Sequence, residues 1–204
     1  MTVFFTSDMH YGHVRIIELA GRPFPDVDTM NAHMVQQWNS VVADEDTVYV
    51  LGDGWMGKLE ETLGLVPNLK GKIKLVPGNH DRVFSGNSES RRSAGHSAYT
   101  LVGIEILPVA LVLPEDERFY LCHFPTRGGN TDEYDGRYFD KFPTAEEIGR
   151  RVLLHGHVHE AYRVRNWPYS MLGENGDIAS LNVGVEVNDY RPISLDQIKA
   201  EFGL

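Results

Sequence analysis

Acidic, imidazole and amide side chains recur in five short clusters that have the composition of metal sites. The clusters are Asp8-Met9-His10, Gly52-Asp53, Gly78-Asn79-His80-Asp81, His123 and Gly156-His157-Val158-His159. They offer carboxylate, imidazole and amide ligands without sulfur, a mixture that suits Mn²⁺, Fe²⁺ or Zn²⁺ better than a soft metal. Divalent ions held by such ligands can activate water for a hydrolytic reaction.

Each cluster alone also has an ordinary structural interpretation. Asp8-Met9-His10 is compatible with a surface turn, and Gly52-Asp53 and Gly78-Asn79-His80-Asp81 with common turn chemistry. His123 alone would more often be a hydrogen-bonded core histidine. Gly156-His157-Val158-His159 is a stronger indication of a metal site than any of the other clusters alone. The ordinary interpretation requires five independent coincidences, because every cluster follows a predicted strand.

Short β-branched and aromatic segments precede the clusters and predict the strands that position them. These strands are Thr2–Thr6, Thr47–Leu51, Lys72–Val76, Arg118–Cys122 and Arg151–Leu154. Side chains at the carboxyl ends of strands converge on one edge of an α/β fold. Alternation along an extended chain lets Asp8 and His10 point to one side, as it does His157 and His159.

Between the strands the sequence predicts helices and two long loops. The predicted helices are Val27–Val42 with Asp28 as N-cap, Lys58–Val66, Thr144–Arg150 and a last helix opened by the capping box Ser194–Gln197. The segments Phe84–Ala98 and Thr126–Phe142 have the polar and glycine-rich composition of loops. Both leave strands that carry ligands, so we expect them to border the pocket and set substrate choice.

The later strands come in antiparallel-looking pairs, unlike the earlier ones, which are followed by helices. Ile104–Leu113 pairs with Arg118–Cys122 across Pro114–Glu117, and Asn182–Val187 alternates as a further strand. This order predicts an α/β fold of two mixed sheets flanked by helices, a four-layer αββα sandwich. The 204 residues suit a single domain spanning 1–204.

Composition narrows the class of protein. The formal net charge of −10 argues against a broad basic surface for nucleic acid. No apolar run approaches the roughly 18–20 residues that cross a bilayer, so no membrane association is expected. The single cysteine, Cys122, excludes an internal disulfide. With no secretory signal at the N-terminus, a cytoplasmic location is expected.

The five clusters in this order resemble the pattern of the calcineurin-like metallophosphoesterases. That pattern is Asp-x-His, Gly-Asp, Gly-Asn-His-Asp/Glu, a lone His and Gly-His-x-His, and it spans residues 8 to 159 here. The closing segment Asn182–Pro192 also resembles the C-terminal strand and turn of small bacterial and phage members. For a phage-encoded member the compartment would be the host cytoplasm. Many members continue the second block as Gly-Asp-x-x-Asp, whereas this chain has Met56.

The resemblance implies a two-metal phosphoesterase and a role for each matching residue. The implied ligands are Asp8, His10 and His159 for one divalent ion, Asn79, His123 and His157 for the other, and Asp53 bridging the two. His80 would sit beside the scissile phosphate, with Asp81 orienting its ring. Mn²⁺ is the favoured ion, and Fe, Zn, Ni or Mg ions also fit nitrogen and oxygen ligands.

The expected substrate is a small phosphate mono- or diester, nucleotides included, and Arg127 is a candidate substrate contact. For Arg91 and Arg92 a solvated pair is favoured over a contact with substrate phosphate, and for His13 a solvated turn residue is favoured over a place on the rim of the site. His155 is expected to pack beneath the ligand loop or to support it by a hydrogen bond. Two other functions stay open, a nuclease acting on short DNA or RNA and a non-catalytic metal-binding scaffold. The complete ligand set with His80 argues against the scaffold. The oligomeric state stays open.

Overall fold

Two five-stranded sheets organise the computed structural model, within its described residues 1–127, 138–167 and 177–204. The first sheet has the order β10 (Ile193–Ser194), β1 (Val3–Thr6), β2 (Thr47–Val50), β3 (Lys72–Leu75) and β4 (Glu105–Ile106). The second has the order β5 (Ala110–Val112), β6 (Phe119–Cys122), β7 (Val152–His155), β9 (Ile178–Asn182) and β8 (Val164–Trp167).

Both sheets are mixed, as the sequence predicts. Strands β1 to β4 run parallel to one another, and β10 is antiparallel at the edge. In the second sheet β6, β7 and β9 are parallel, whereas β5 and β8 are antiparallel at its two edges. The predicted pairing across Pro114–Glu117 is confirmed for β5, with Leu111 opposite Leu121. The single strand predicted at Ile104–Leu113 is wrong, because its first part forms β4 beside β3 in the first sheet.

Helices cover the outer faces of the sheets, except the last, which packs against the core between the sheets. They are α1 (Ile16–Leu19), α2 (Val27–Val41), α3 (Leu59–Leu63), α4 (Glu89–Leu101), α5 (Ala145–Ile148) and α6 (Leu195–Phe202). Short 3₁₀ helices cover Val66–Asn68, Phe139–Lys141 and Val185–Val187. Within the described ranges no helix has both the length and the apolar character to cross a bilayer.

Strand alternation divides the apolar side chains among three layers of core. Phe4 packs with Trp38 of α2 in the core between the first sheet and its helices, whereas Phe5 packs in the core between the two sheets. In β7, Leu154 shares the intersheet core and Leu153 faces α5. Successive side chains of a strand point to opposite faces, so both faces of each sheet are buried. The predicted αββα sandwich is confirmed.

The predicted loop Phe84–Ala98 is wrong, because most of it belongs to helix α4. Ser88 caps this helix, its hydroxyl accepting the N–H of Arg91 at 3.4 Å. Gly95 and Tyr99 form the buried face, and a Cβ at Gly95 would lie 2.8 Å from the Arg82 Cβ. Tertiary packing of one helix face therefore outweighs a composition poor in apolar residues.

Two smaller predictions are also wrong. The strand predicted at Asn182–Val187 ends at Asn182, whose side-chain oxygen accepts the Gly184 N–H at 2.8 Å and turns the chain into a 3₁₀ helix. Helix α2 is capped by Asp26 rather than Asp28, through the Thr29 N–H at 2.7 Å. The capping box of α6 is confirmed. In the second predicted loop, residues 128–137 lie outside the described part of the chain.

Candidate metal centre

Backbone strain is concentrated at the predicted metal ligands. Residues other than glycine are uncommon in the left-handed region and cost about 1–3 kcal/mol there. Such strain persists only where the surrounding structure holds it, and it clusters at functional sites. The strained ligand candidates and their φ angles are Asp8 (55°), His10 (51°), Asp53 (55°), His157 (72°) and His159 (46°).

Glycines in the motifs let one cluster approach the carboxylate of another. A Cβ on Gly156 would overlap the Asp8 carboxylate and the Ser7 hydroxyl, and a Cβ on Gly78 would overlap the Asp53 carboxylate. Any other residue would push these loops apart. Clusters distant in sequence are thereby packed against each other at one rim.

The first group of ligand atoms belongs to Asp8, His10 and His159, and these atoms lie within 4.8 Å of one another. Asp8 Oδ2 accepts the Ser7 hydroxyl at 2.7 Å and the His157 N–H at 2.9 Å. Asp8 Oδ1 and His10 Nε2 are buried without a hydrogen-bond partner in the described structure, 4.0 Å apart. Leaving both atoms unpaired is costly, and one cation would satisfy them together.

The second group contains Asp8, Asp53 and His123, again with ligand atoms within 4.8 Å. The Nδ1–H of His123 donates to the Leu51 carbonyl at 2.8 Å. Its Nε2 therefore faces the cluster, 3.3 Å from Asp53 Oδ2 and 3.1 Å from Asn79 Oδ1. Because Asp8 belongs to both groups, the two candidate sites adjoin.

The electrostatics of the cluster favour a bound cation. Burial lowers the pKa of His157 to about 3, so this imidazole stays neutral, as a metal ligand must be. Its ring lies 5.2 Å from that of His123. Burial alone would lower the pKa of His123, but the Asp53 carboxylate outweighs it and raises the pKa to about 9. The buried carboxylates of Asp8 and Asp53 are stable as anions only beside positive charge, which divalent ions would supply.

Asp81 fixes the loops that carry the ligands. Its buried carboxylate accepts the Asp53 N–H at 2.9 Å, the Gly78 N–H at 2.8 Å and the Tyr99 hydroxyl at 3.1 Å. Among the described residues, no hydrogen bond joins Asp81 to the His80 ring. The expectation that Asp81 orients His80 is therefore corrected, because backbone amides of two ligand loops and a buried tyrosine engage its oxygens.

His80 lies at the mouth of the cluster. Its N–H donates to Asp53 Oδ1 at 2.9 Å, while its ring is exposed and lies 5.6 Å from that of His10. It opens on a cleft of about 420 Å³. The cleft is lined by His10, His13, Ile16, Leu19, Ala20, His80, His157, Val158, His159, Glu160 and Ala161.

The other candidates lie in different surroundings. Arg127 is not among these lining residues; its N–H donates to the Pro143 carbonyl at 2.9 Å, and its substrate contact stays a prediction. His13 takes the less favoured of its two expected places, on the rim of the site, where it lines the cleft with Nδ1 3.3 Å from His10 Nδ1. His155 is buried beneath the ligand loop and bonds the Gly156 carbonyl at 2.8 Å.

Comparisons with known proteins agree with this geometry. The model of the calcineurin-like phosphoesterase superfamily domain matches residues 1–189. The chain belongs to this superfamily. Membership supports the assignment of the protein as a hydrolase of phosphate esters that binds divalent metal.

Three relatives illustrate the similarity. The chain is 31% identical over 198 residues to an uncharacterised protein of Methanocaldococcus jannaschii, covering 96% of this chain and 88% of the relative. It is 32% identical over 165 residues to the gene 66 protein of Mycobacterium phage L5, covering 76% of each chain. A solved structure of a protein of unknown function from Aquifex aeolicus matches with a TM-score of 0.68, 26% identity and 98% of both chains covered.

A buried ion pair between Arg22 and Glu186 lies behind the ligands, and it was not predicted from the sequence. Glu186 Oε1 accepts His159 Nδ1–H at 2.9 Å and Arg22 Nε–H at 3.0 Å. Arg22 also donates to the backbone carbonyls of Asp8 at 2.6 Å and Met9 at 2.9 Å. Glu186 holds His159 in the tautomer that has its proton on Nδ1, which leaves Nε2 available to bind a metal. Arg22 fixes the strained loop that contains Asp8.

Sequence offered little signal for this pair. Glu186 lies in the segment that resembles small bacterial and phage members, but no spacing rule connects it with His159 or with Arg22, which is 164 positions away. Asn182 adds a further support, because its amide donates to the His159 carbonyl at 2.7 Å. These residues hold the ligands through contacts that only the folded chain creates.

We expect Glu186→Gln to lower metal affinity by roughly 10- to 100-fold, the usual effect of removing a partner that orients a ligand. The amide keeps the size of the side chain but removes the charge that His159 and Arg22 face. Competition with a chromogenic chelator measures the affinity. Asp189→Asn is the matched control, because this exposed aspartate lies two residues beyond the 3₁₀ helix that holds Glu186. Equal affinities of the two variants would contradict the role of Glu186.

Proposed function

We propose that this protein is a two-metal phosphoesterase that hydrolyses a small phosphate mono- or diester, nucleotides included, with water as the nucleophile. The observation that carries the proposal is the pair of adjoining ligand groups that share Asp8. Asp8 Oδ1 and His10 Nε2 lack hydrogen-bond partners within the described structure, as ligand atoms would without their ion. The group opens directly into the cleft beside His80.

The chain supplies every ligand that the proposal needs. Two divalent ions, when bound, would neutralise ester oxygens and acidify a water molecule for attack on phosphorus. Nitrogen and oxygen ligands favour Mn²⁺, with Fe, Zn, Ni and Mg ions as alternatives. Following the family resemblance, the proposed ligands are Asp8, His10 and His159 for one ion, Asn79, His123 and His157 for the other, and Asp53 between them. The two ligand groups of the described structure support Asp8, His10, His159, Asp53 and His123, and neither includes His157.

His80 is proposed to assist the leaving group. Its exposed ring borders the cleft, and its backbone is anchored through the N–H bond to Asp53 Oδ1 at 2.9 Å. From this position the imidazole can stabilise the phosphate or donate a proton to the departing oxygen. Asp81 is proposed to act indirectly, by holding the Asp53 and Gly78 loops in place.

A covalent cysteine mechanism is disfavoured. Cys122 precedes the ligand His123 in sequence, yet its thiol is buried in the core on the α5 side of the second sheet. Burial raises the pKa of Cys122 to about 12, so the nucleophilic thiolate is scarce at neutral pH. Water is therefore the proposed nucleophile.

Removing the metal tests the function. We expect exhaustive chelation to lower turnover of nitrophenyl mono- and diesters at least about 100-fold, because such ions supply several kcal/mol of transition-state stabilisation. Mn²⁺ should restore turnover. Full activity with no metal detected by elemental analysis would contradict the proposal. Cyclic nucleotides and short oligonucleotides complete the substrate panel, and preference for the oligonucleotides would assign a nuclease instead.

A further inference from the structure

The cleft beside the candidate metal centre has two apolar walls. Ile16, Leu19 and Ala20 of the α1 region form one, and Val158 and Ala161 of the ligand loop contribute to the other. Its volume of about 420 Å³ lies in the range of small-molecule sites, roughly 300–1,000 Å³. A cleft in which apolar side chains lie beside the ligand candidates is positioned to hold the part of a substrate attached to the phosphate.

Among the apolar wall residues, Leu19 gives the strongest indication of a binding surface. Its side chain is 61% exposed although it borders a concave site. Val14 is similarly exposed, at 64%, but does not line the cleft. Single exposed apolar residues are common on protein surfaces, so exposure alone does not identify a function. Leu19 differs because it faces the same space as His80 and the metal-ligand candidates.

Charge within the cleft limits which organic group fits. Apart from the histidines, the only charged side chain among the described lining residues is Glu160, and none of them is lysine or arginine. The metal centre can neutralise one phosphate group, but a second anionic group in the cleft would meet a carboxylate and apolar walls. Repulsion from the exposed Glu160 carboxylate, with no cationic partner among the described lining residues apart from histidine, therefore disfavours a second anionic group.

We propose that this cleft binds an uncharged, apolar organic group, alkyl or aromatic, linked through the ester oxygen to the phosphate at the metal centre. The inference rests on the proposed phosphoesterase function and specifies its substrate class. The preferred substrates carry one phosphate group and no further anionic group beside it. Nucleoside di- and triphosphates are therefore disfavoured.

Alkylphosphonates test the cleft without turnover, since their carbon–phosphorus bond is not an ester. Methyl-, butyl- and hexylphosphonate are titrated calorimetrically into Mn²⁺-loaded protein whose metal content has been measured. A fully buried methylene raises affinity by up to about fourfold, and we expect about twofold each in this open cleft. Hexylphosphonate should therefore bind roughly 30-fold more tightly than methylphosphonate, by the same area argument.

Leu19→Gln keeps the size of the side chain and makes the wall polar. We expect it to reduce the hexyl-to-methyl affinity ratio at least about threefold. Methylphosphonate affinity and metal content should be unchanged. Val14→Gln makes the same type of change on an equally exposed residue outside the cleft, and it should preserve the ratio.

A phosphonate with a second anionic group tests the charge selectivity of the cleft. 5-Carboxypentylphosphonate should bind more weakly than hexylphosphonate, and Glu160→Gln should narrow that difference without altering methylphosphonate binding. Equal binding of the two ligands to the unmodified protein would overturn the charge selectivity.

The outcomes separate this inference from the function on which it rests. If methylphosphonate binds but longer chains bring no gain, the cleft assignment is overturned while the phosphoesterase proposal stands. An unchanged ratio in Leu19→Gln overturns it as well. If metal-loaded protein neither binds methylphosphonate nor hydrolyses any ester, the proposed function fails, and the cleft assignment fails with it.

Discussion

Asp53→Asn is expected to abolish measurable hydrolysis by emptying the metal centre. The carboxylate is buried, with Oδ2 3.3 Å from His123 Nε2 and Oδ1 accepting the His80 N–H at 2.9 Å. Under the proposed function, this anion offsets repulsion between two adjoining cations. Its loss should weaken metal binding by more than the roughly 10- to 100-fold that removing a partner of a ligand costs.

Asparagine is a suitable replacement because it tolerates the left-handed backbone at this position, where φ is 55°. Elemental analysis and turnover are measured together. Asp46→Asn is the control, because Asp46 is also buried but bonds the N–H groups of Thr2 and Ala43 before β2, away from the cluster. Full metal occupancy in Asp53→Asn would refute the bridging role.

The clusters were predictable because each follows a strand. Hydrophobic patterning located β1, β2, β3, β6 and β7, and the geometry of parallel strands then brought their carboxyl ends to one rim. Local pattern and global fold agree here, so sequence reasoning succeeds. The ligand assignments themselves came from the family resemblance and await direct tests.

The supporting contacts were not predictable, because they join residues with no local relationship. Arg22 reaches Glu186 across the fold, and Asp81 turns to backbone amides rather than to its neighbour His80. The direction of a side chain in a strained loop depends on the loop packed against it. Helix α4 was missed for a related reason, since its buried face is made by Gly95 and Tyr99 rather than by an aliphatic stripe.

His80→Asn is expected to lower turnover by roughly 10²- to 10⁴-fold, the usual contribution of a positioned acid or base. Fold and metal content should be preserved, because the ring is exposed at the cleft and His80 is not one of the proposed metal ligands. The backbone N–H bond to Asp53 survives the substitution, so the Asp53 carboxylate keeps its position.

The leaving group distinguishes a proton donor from a general phosphate contact. An alkoxide needs a proton as the phosphorus–oxygen bond breaks, whereas nitrophenolate is stable enough to depart without one. The loss in His80→Asn should therefore be large for alkyl esters and small for nitrophenyl esters. His96→Asn, which alters an exposed histidine of α4, is the matched control and should retain full turnover. An equal loss with both leaving groups would make His80 a phosphate contact, and unchanged turnover of alkyl esters or an emptied metal site would remove it from the proposed chemistry.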